Sequence, residues 1–410
     1  MLLSRAWTLA WAPALLLCLA LPLQAGEAPA ADAAPVDSQD VGAEPARRGS
    51  LEVIVGLYMN DDHGDGNPFL DEKETVIEPV VVFDLNVTDD LAITITGSYD
   101  FVSSASIDRL SRYPEQSGAS GDNYIGGDLA ARYSITSDVR VSAHAGYSTE
   151  YDYDSFGTGG TLSVDLFQKQ TTLELGLNAY FDTVRIIRFN GAENEGDDDR
   201  TSITLSLSWY QVLSPTLHAS FGYSFTSQSG FLETAYNGVV LEDGSDPPNP
   251  LLDNNARGVE VAEELPDTRL RHALFAEIRK YFEGGTSISL WGRFYADDWG
   301  VVSATFEVRA YQWIVDDVLR LRVRYRYYVQ SAADDFDEHF YVPPAQRAAF
   351  VATAERTQDS DLGDFDSHGV GIQLVWRFYG RNQLTLGGDY VLRSDGIDQL
   401  TGIIGYQLEF

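Results

Sequence analysis

The chain has 410 residues, 62 of them acidic against 28 basic, for a formal net charge of −34. So acidic a composition excludes nucleic acid as a direct partner and disfavours docking on anionic membrane surfaces. The one cysteine, Cys18, excludes an internal disulfide framework and a cysteine-held zinc.

At the amino end, Arg5 precedes an apolar run from Ala6 to Leu23, and Gln24-Ala25 supplies the small residue ahead of a cut before Gly26. The run is short and holds Pro13 and Pro22, so residues 1–25 read as a cleaved signal peptide rather than a membrane anchor. Cleavage there removes Cys18 and with it any thiol chemistry. Residues 26–49 are Ala, Pro and acid in no period, with Arg47-Arg48 near their end, and read as a disordered periplasmic lead. No second long apolar run follows, which excludes a helical membrane bundle.

From residue 50 to residue 410 the chain alternates. Leu91, Ile93, Ile95, Tyr99 and Phe101 share one face, with Thr94, Thr96, Ser98 and Asp100 opposite. Leu173, Leu175, Leu177, Ala179 and Phe181 repeat the pattern, as do Ile203, Leu205, Leu207 and Trp209. A period of two with one greasy and one polar face predicts strands between lipid and a polar lumen. The spacing predicts strands at 51–59, 74–87, 91–104, 124–136, 139–152, 157–168, 171–185, 199–213, 216–229, 267–282, 287–299, 301–314, 318–332, 367–379, 383–395 and 398–410. The expected fold is all-β, a transmembrane antiparallel up-and-down β-barrel of about sixteen strands, an even number as such barrels require. Tight turns at 88–90, 170, 214–215, 283–285, 316–317 and 380–382 alternate with long connections at 60–73, 105–123, 186–198, 230–266 and 333–366. Short periplasmic turns and long acidic extracellular loops fit that fold.

The last segment is apolar or small at Leu400, Gly402, Ile404, Tyr406, Leu408 and Phe410. Tyr406, Leu408 and the terminal Phe410 resemble the signal read by the outer-membrane barrel-insertion machinery, which implies that machinery, outer-membrane lipid and lipopolysaccharide as partners. The stretch from Glu74 through Pro79 to Val81, the Gly97-Ser-Tyr-Asp that follows, Ser117-Gly-Ala-Ser, Ser148-Thr-Glu-Tyr-Asp-Tyr-Asp and Phe167-Gln-Lys-Gln-Thr-Thr-Leu resemble a bacterial domain-of-unknown-function family. That family is expected to form outer-membrane barrels, so the resemblance implies fold and location and assigns no mechanism.

Function is then sought in the lumen. Parity points Arg320, Arg322, Arg324 and Arg326 inward, joined by Arg271, Arg279, Arg293, Arg309 and Arg377. The first half points Glu52, Glu78, Asp84, Asp100, Asp128, Glu150, Asp165, Glu174 and Asp182 inward, with Arg132 and Arg140 among them. Opposed charged walls would set a transverse field that orients zwitterions and penalises apolar solutes. The alternative is that the arginines pair with Glu277, Glu307, Asp389 or Glu409 and staple the interior. These alternatives give two expectations: porin-like passage of small polar or charged solutes, or a non-conducting barrel that scaffolds a complex or displays its loops.

Catalysis finds no footing, since no G-x-S-x-G motif occurs and no His–nucleophile constellation is recognisable, so no catalytic residue is named. No cofactor is expected. Asp61, Asp65 and Glu72 have the spacing of a calcium loop with Gly66 at the turn, though His63 is atypical, and a solvated hairpin loop explains the same residues. The sequence leaves the oligomeric state and the solute open.

Overall fold

The computed structural model describes residues 48–61, 73–102, 122–190, 195–244, 258–379 and 382–410. In chain order the strands are β1 (Gly49–Asp61), β2 (Lys73–Asn86), β3 (Leu91–Val102), β4 (Asp122–Thr136), β5 (Val139–Thr149), β6 (Tyr153–Leu166), β7 (Thr171–Arg185), β8 (Asp197–Ser214) and β9 (Leu217–Gly230). After the short β10 (Gly238–Glu242) and β11 (Val259–Ala262) come β12 (Thr268–Phe282), β13 (Thr286–Asp297), β14 (Val302–Val315) and β15 (Leu319–Gln330). The two-residue β16 (Phe340–Tyr341) precedes β17 (Phe365–Phe378), β18 (Asn382–Arg393) and β19 (Asp398–Glu409). All but β10, β11 and β16 form one closed antiparallel barrel of sixteen strands in sequence order.

Alternation builds this wall. Ile95 is 51% exposed and Ile404 57% exposed on the outer face, while inward neighbours such as Asp100 and Ser206 are buried. A continuous apolar outer surface with a polar interior inverts the pattern of a water-soluble protein. The ring closes where β1 meets β19: Arg48 N–H donates to the Phe410 carbonyl at 2.7 Å, and Phe410 N–H to the Gly49 carbonyl at 3.0 Å. The Phe410 ring stacks on Phe83 of β2 at 6.0 Å, which ties the closing strand to the outer face. Pro79 lies within β2, and pairing with β3 is interrupted between Ile77 and Val80. A proline without an N–H fits such a gap.

On the near rim, that of Arg48 and Phe410, the connections among the described residues are tight, from 87–90 round to 316–318. Phe167, Gln168 and Lys169 make one of these turns with φ between 51° and 64°. The far rim mixes long connections (62–72, 103–121, 186–196, 231–267, 331–364) with tight turns at 150–152, 298–301 and 394–397. At 298–301, Asp297 Oδ1 accepts from the N–H groups of Trp299 and Val301, and Gly300 takes φ +87° between them. Sequence alternation places the same division at Gly300.

The two longest of these far-rim connections are folded onto each other. β10 pairs antiparallel with β11, and parallel with β16 of the second connection. Val239, Leu241 and Val342 form the buried core of this small sheet, with Val261, Phe340 and Phe350 packed on it. A single-turn helix, α1 (Arg347–Val351), supplies Phe350. The two connections are called leaves below, the first holding 231–244 and 258–267, the second 331–364.

Candidate functional site

Strand order fixes which walls face each other. In a ring of sixteen, β2 stands opposite β12, β3 opposite β13, β4 opposite β14, β5 opposite β15 and β7 opposite β18. Glu78 on β2 therefore faces the wall of Arg271 and Arg279, Asp100 on β3 faces that of Arg293, and Asp128 on β4 faces that of Arg309. Arg320, Arg322, Arg324 and Arg326 project from β15, and Arg377 from β17 near its end at the near rim. Glu174 projects from β7, opposite Asp389 and Arg393. On β12–β15 arginines outnumber the inward carboxylates Glu277, Asp297 and Glu307; on β1–β7 carboxylates prevail.

Charges on the arginine wall pair along it. Arg279 Nη2 lies 3.2 Å from Glu277, Arg309 pairs with Glu307, and Arg324 reaches Glu307 at 3.8 Å and Asp389 at 2.8 Å. Glu277, Glu307 and Asp389 are thus partners, as sequence parity suggested. Aromatic rings alternate with the guanidinium groups. Arg271 and Arg293 lie over Tyr295 at 5.5 and 5.6 Å, Arg279 and Arg320 over Tyr311 at 5.2 and 5.8 Å, and Arg320 and Arg377 over Trp313 at 5.6 and 5.3 Å. Stacking on a ring face favours a desolvated cation and holds it in a fixed plane.

The acidic wall is built differently. Asp100 accepts from the Tyr124 N–H at 3.1 Å. Asp128 contacts Nδ1 of His144 at 3.0 Å, whose Nε2 meets Asn178 at 3.0 Å. Arg140 forms a two-pronged pair with Asp165 at 2.7 and 3.0 Å. Glu78 and Glu174 each keep one buried carboxylate oxygen without a hydrogen-bond partner. Glu150 lies in the β5–β6 turn rather than on a strand. His144 and His218 face inward and His272 faces outward, as parity requires; His272 meets the Tyr223 hydroxyl at 2.8 Å.

The leaves stand over the mouth of this lumen. On one side, Phe231 and Ala235 of the first leaf pack on inward-facing Val184 of β7, the Tyr236 hydroxyl donates to Asp152 at 2.5 Å, and Arg188 bridges Glu233 (2.8 Å) and Glu195 (2.6 Å). Arg188 holds Glu195 below the usual carboxylate range, while burial pushes Glu233 up. On the other side, Arg393 of β18 donates to Asp361 at 2.5 Å and to the Ser360 carbonyl at 3.2 Å. Gln330 of β15 donates to the carbonyls of Asp361 and Gly363, and Phe336 and Leu362 pack on inward-facing Ala273 and Tyr295. Since β7 and β18 are opposite, the joined leaves span the mouth from wall to wall.

Among the described residues no group of His, Cys, Asp or Glu is arranged to hold a metal ion. Asp61 ends β1, paired with Lys73 and Asp398. Asp65 and Glu72 lie outside the described residues.

Residues 112–407 match a family model described as a protein of unknown function, DUF3570. The chain belongs to this family. No curated protein matches the sequence. Among solved structures, the DUF3570 chain is similar to a bacterial polysaccharide outer-membrane secretin (8% identity, 90% of this chain and 100% of that one, TM-score 0.49). It is also similar to the toluene transporter TodX of P. putida (10% identity, 90% and 91%, TM-score 0.39). A third is the siderophore receptor PirA of Pseudomonas aeruginosa (11% identity, 85% and 57%, TM-score 0.40). The chain spans little more than half the length of that receptor. With its closed ring of sixteen antiparallel strands, this chain is an outer-membrane-type β-barrel.

Parity found the lumen charges of this DUF3570 barrel but missed the residues that join the leaves. Glu263 and Arg356 are 1% exposed within polar loops, where nothing local in the sequence marks burial. The apolar run Val239-Val240-Leu241 and the alternating Val259-Glu260-Val261 are the kind of short signal that could have marked strands there.

Proposed function

We propose that this protein is a porin-like passive channel of the outer membrane for small polar or charged solutes, with the near rim in the periplasm and the leaves outside. The observation that carries this reading is the placement of an arginine-rich wall across the lumen from a carboxylate-rich one. Unlike charges across a confined aqueous path raise the local concentration of charged and zwitterionic solutes and orient their dipoles, while apolar solutes gain nothing. A barrel of sixteen strands has room for that path, as side chains alone fill barrels of about eight. Arg320, Arg322, Arg324 and Arg326 carry the selectivity, with Arg293, Arg309 and Arg377 extending their wall towards both mouths. Export by the signal peptide and assembly through the strand of Tyr406, Leu408 and Phe410 complete this reading.

Single-channel recording in a planar bilayer tests it. Discrete open steps are expected, with an ion preference that shifts towards cations when the four arginines of β15 become Gln. A folded but silent barrel overturns the channel reading. One observation favours the rival: leaves that span the mouth suit a non-conducting barrel presenting a rigid outer surface to a partner.

A further inference from the structure

We propose that Glu174, Ser206 and Ser208 form a binding site for a small monovalent cation in the inner wall, either a bare alkali ion or the ammonium head of an organic solute. The site goes beyond the channel reading, because a barrel that conducts nothing can still hold the ion.

Register builds the site. Glu174 of β7 is the cross-strand partner of Ser208 on β8, and two residues along, Gly176 is the partner of Ser206. All four positions share the inward face. Ser206 is 2% exposed, and its hydroxyl leans over Gly176, where an added Cβ would collide with Ser206 Oγ. Three oxygens of this patch, Glu174 Oε1, Ser206 Oγ and Ser208 Oγ, are buried and make no hydrogen bond among the described residues.

Their neighbours on the same face are satisfied. On β8, Ser202 accepts from Gln228 at 3.1 Å, Thr204 and Thr226 share a bond of 2.9 Å, and Tyr210 meets His218. On β7, Thr172 donates to Asp165 at 2.8 Å, Asn178 meets His144 at 3.0 Å, and Asp182 accepts from Arg200 at 2.9 Å. Arg140, whose charge reaches Glu174, commits its guanidinium to Asp165 at 2.7 and 3.0 Å and to Ser163 at 3.1 Å. On β7 and β8, want of a partner is therefore confined to one carboxylate oxygen and the two hydroxyls beside it. Each such atom is costly to bury, and three together mark a place for something the chain itself does not supply.

The donor set selects the ligand. All three atoms are oxygens, which suit hard cations. One carboxylate balances one positive charge, whereas calcium takes about 6–8 oxygen ligands. A monovalent ion also gives up less hydration than a divalent one when it is drawn against the wall. An ammonium head presents three N–H donors, one for each oxygen.

Calorimetric titration of the purified full chain in detergent micelles tests the site. Sodium chloride is the probe in one arm and methylammonium chloride in the other, with N-methylglucamine chloride holding the ionic strength. The buffer stands at about pH 9, above ordinary carboxylate values and below that of an alkylammonium. Saturable binding at a single site is expected in at least one arm, and the tighter arm tells bare ion from ammonium head. Glu174→Gln should weaken it at least about tenfold, as loss of a charged hydrogen-bond partner does. Ser206→Ala and Gly176→Ala keep every charge, and each should weaken it several-fold. If Glu174→Gln weakens binding and these two do not, the carboxylate only draws cations into the lumen at large, and the site is overturned. Urea unfolding gives a second measure. Without either cation, Ser206→Ala should keep or exceed wild-type stability, since the hydroxyl has no bond to lose. The better-binding cation should then stabilise wild type more than the variant. A less stable Ser206→Ala in the absence of the ion means that the hydroxyl is already bonded, and overturns the site as well. A barrel silent in the bilayer overturns the channel reading alone, whereas a flat titration in both arms overturns this one alone.

Discussion

Glu307 decides whether the arginine wall is a wet lining or a structural staple. It is 2% exposed, accepts from Arg309, lies 3.8 Å from Arg324 and is paired across the strands with Arg326. Glu307→Gln removes the carboxylate that Arg309 and Arg324 contact here, while Arg324 keeps Asp389. Breaking a buried ion pair by removing one partner costs about 3–5 kcal/mol. Gln retains one oxygen acceptor, and a hydrogen bond to a charged group contributes about 1.5–3 kcal/mol, so the expected net loss is about 2 kcal/mol. Urea unfolding in lipid vesicles, followed by tryptophan fluorescence, measures it, with an unchanged dependence on denaturant as the check that the unfolding is the same event. Arg326→Gln in the Glu307→Gln background should recover part of the loss, because it removes a like charge next to the deficit. A loss below about 0.5 kcal/mol refutes the reasoning, since that is the range of solvated surface pairs.

Phe231→Ala should cost about 3–4 kcal/mol at the anchor of the first leaf, as expected for a buried ring packed on Val184 and Ala235. Hydrogen exchange should rise around 231–237 and remain unaltered in β12–β15; a uniform rise along the barrel contradicts a local anchor. Deleting Phe410 removes its backbone bond from Arg48 and its stack on Phe83, so the yield of folded barrel, read as the heat-shifted band in detergent gels, should fall several-fold while the surviving barrels conduct normally. An undiminished yield would show that the strand without its last ring suffices for assembly.

The sixteen barrel strands were legible because lipid on one face and a polar lumen on the other impose the same period of two along the whole chain. The poorest boundary shows what limits that signal. β6 begins at Tyr153 where alternation places it at 157, since outward Asp154 breaks the apolar row. The Asp154 carboxylate is held there by the Tyr147 hydroxyl of β5 at 2.6 Å, a contact that needs the neighbouring strand to be known. The inward arginines and their partners Glu277, Glu307 and Asp389 followed from parity, because register carries a face from strand to strand. The leaves did not follow. Their strands hold two to five residues, and β10 meets β16 across the whole of β12–β15, a pairing with no local trace in sequence.

Closure of the ring has a consequence for how such a chain comes to be folded. β1 is paired with β19 along its length, from Ser50 with Glu409 to Asp61 with Asp398. Until β19 has been made and delivered, one edge of β1 presents a row of bare N–H and C=O groups, and the other strands add apolar faces with nothing to cover them. Assembly strand by strand behind a moving ribosome would therefore accumulate sticky, open-edged sheet in water. The barrel can close only once both edge strands, from opposite ends of the chain, are present at the same place, so its last step joins the two most distant strands in the sequence.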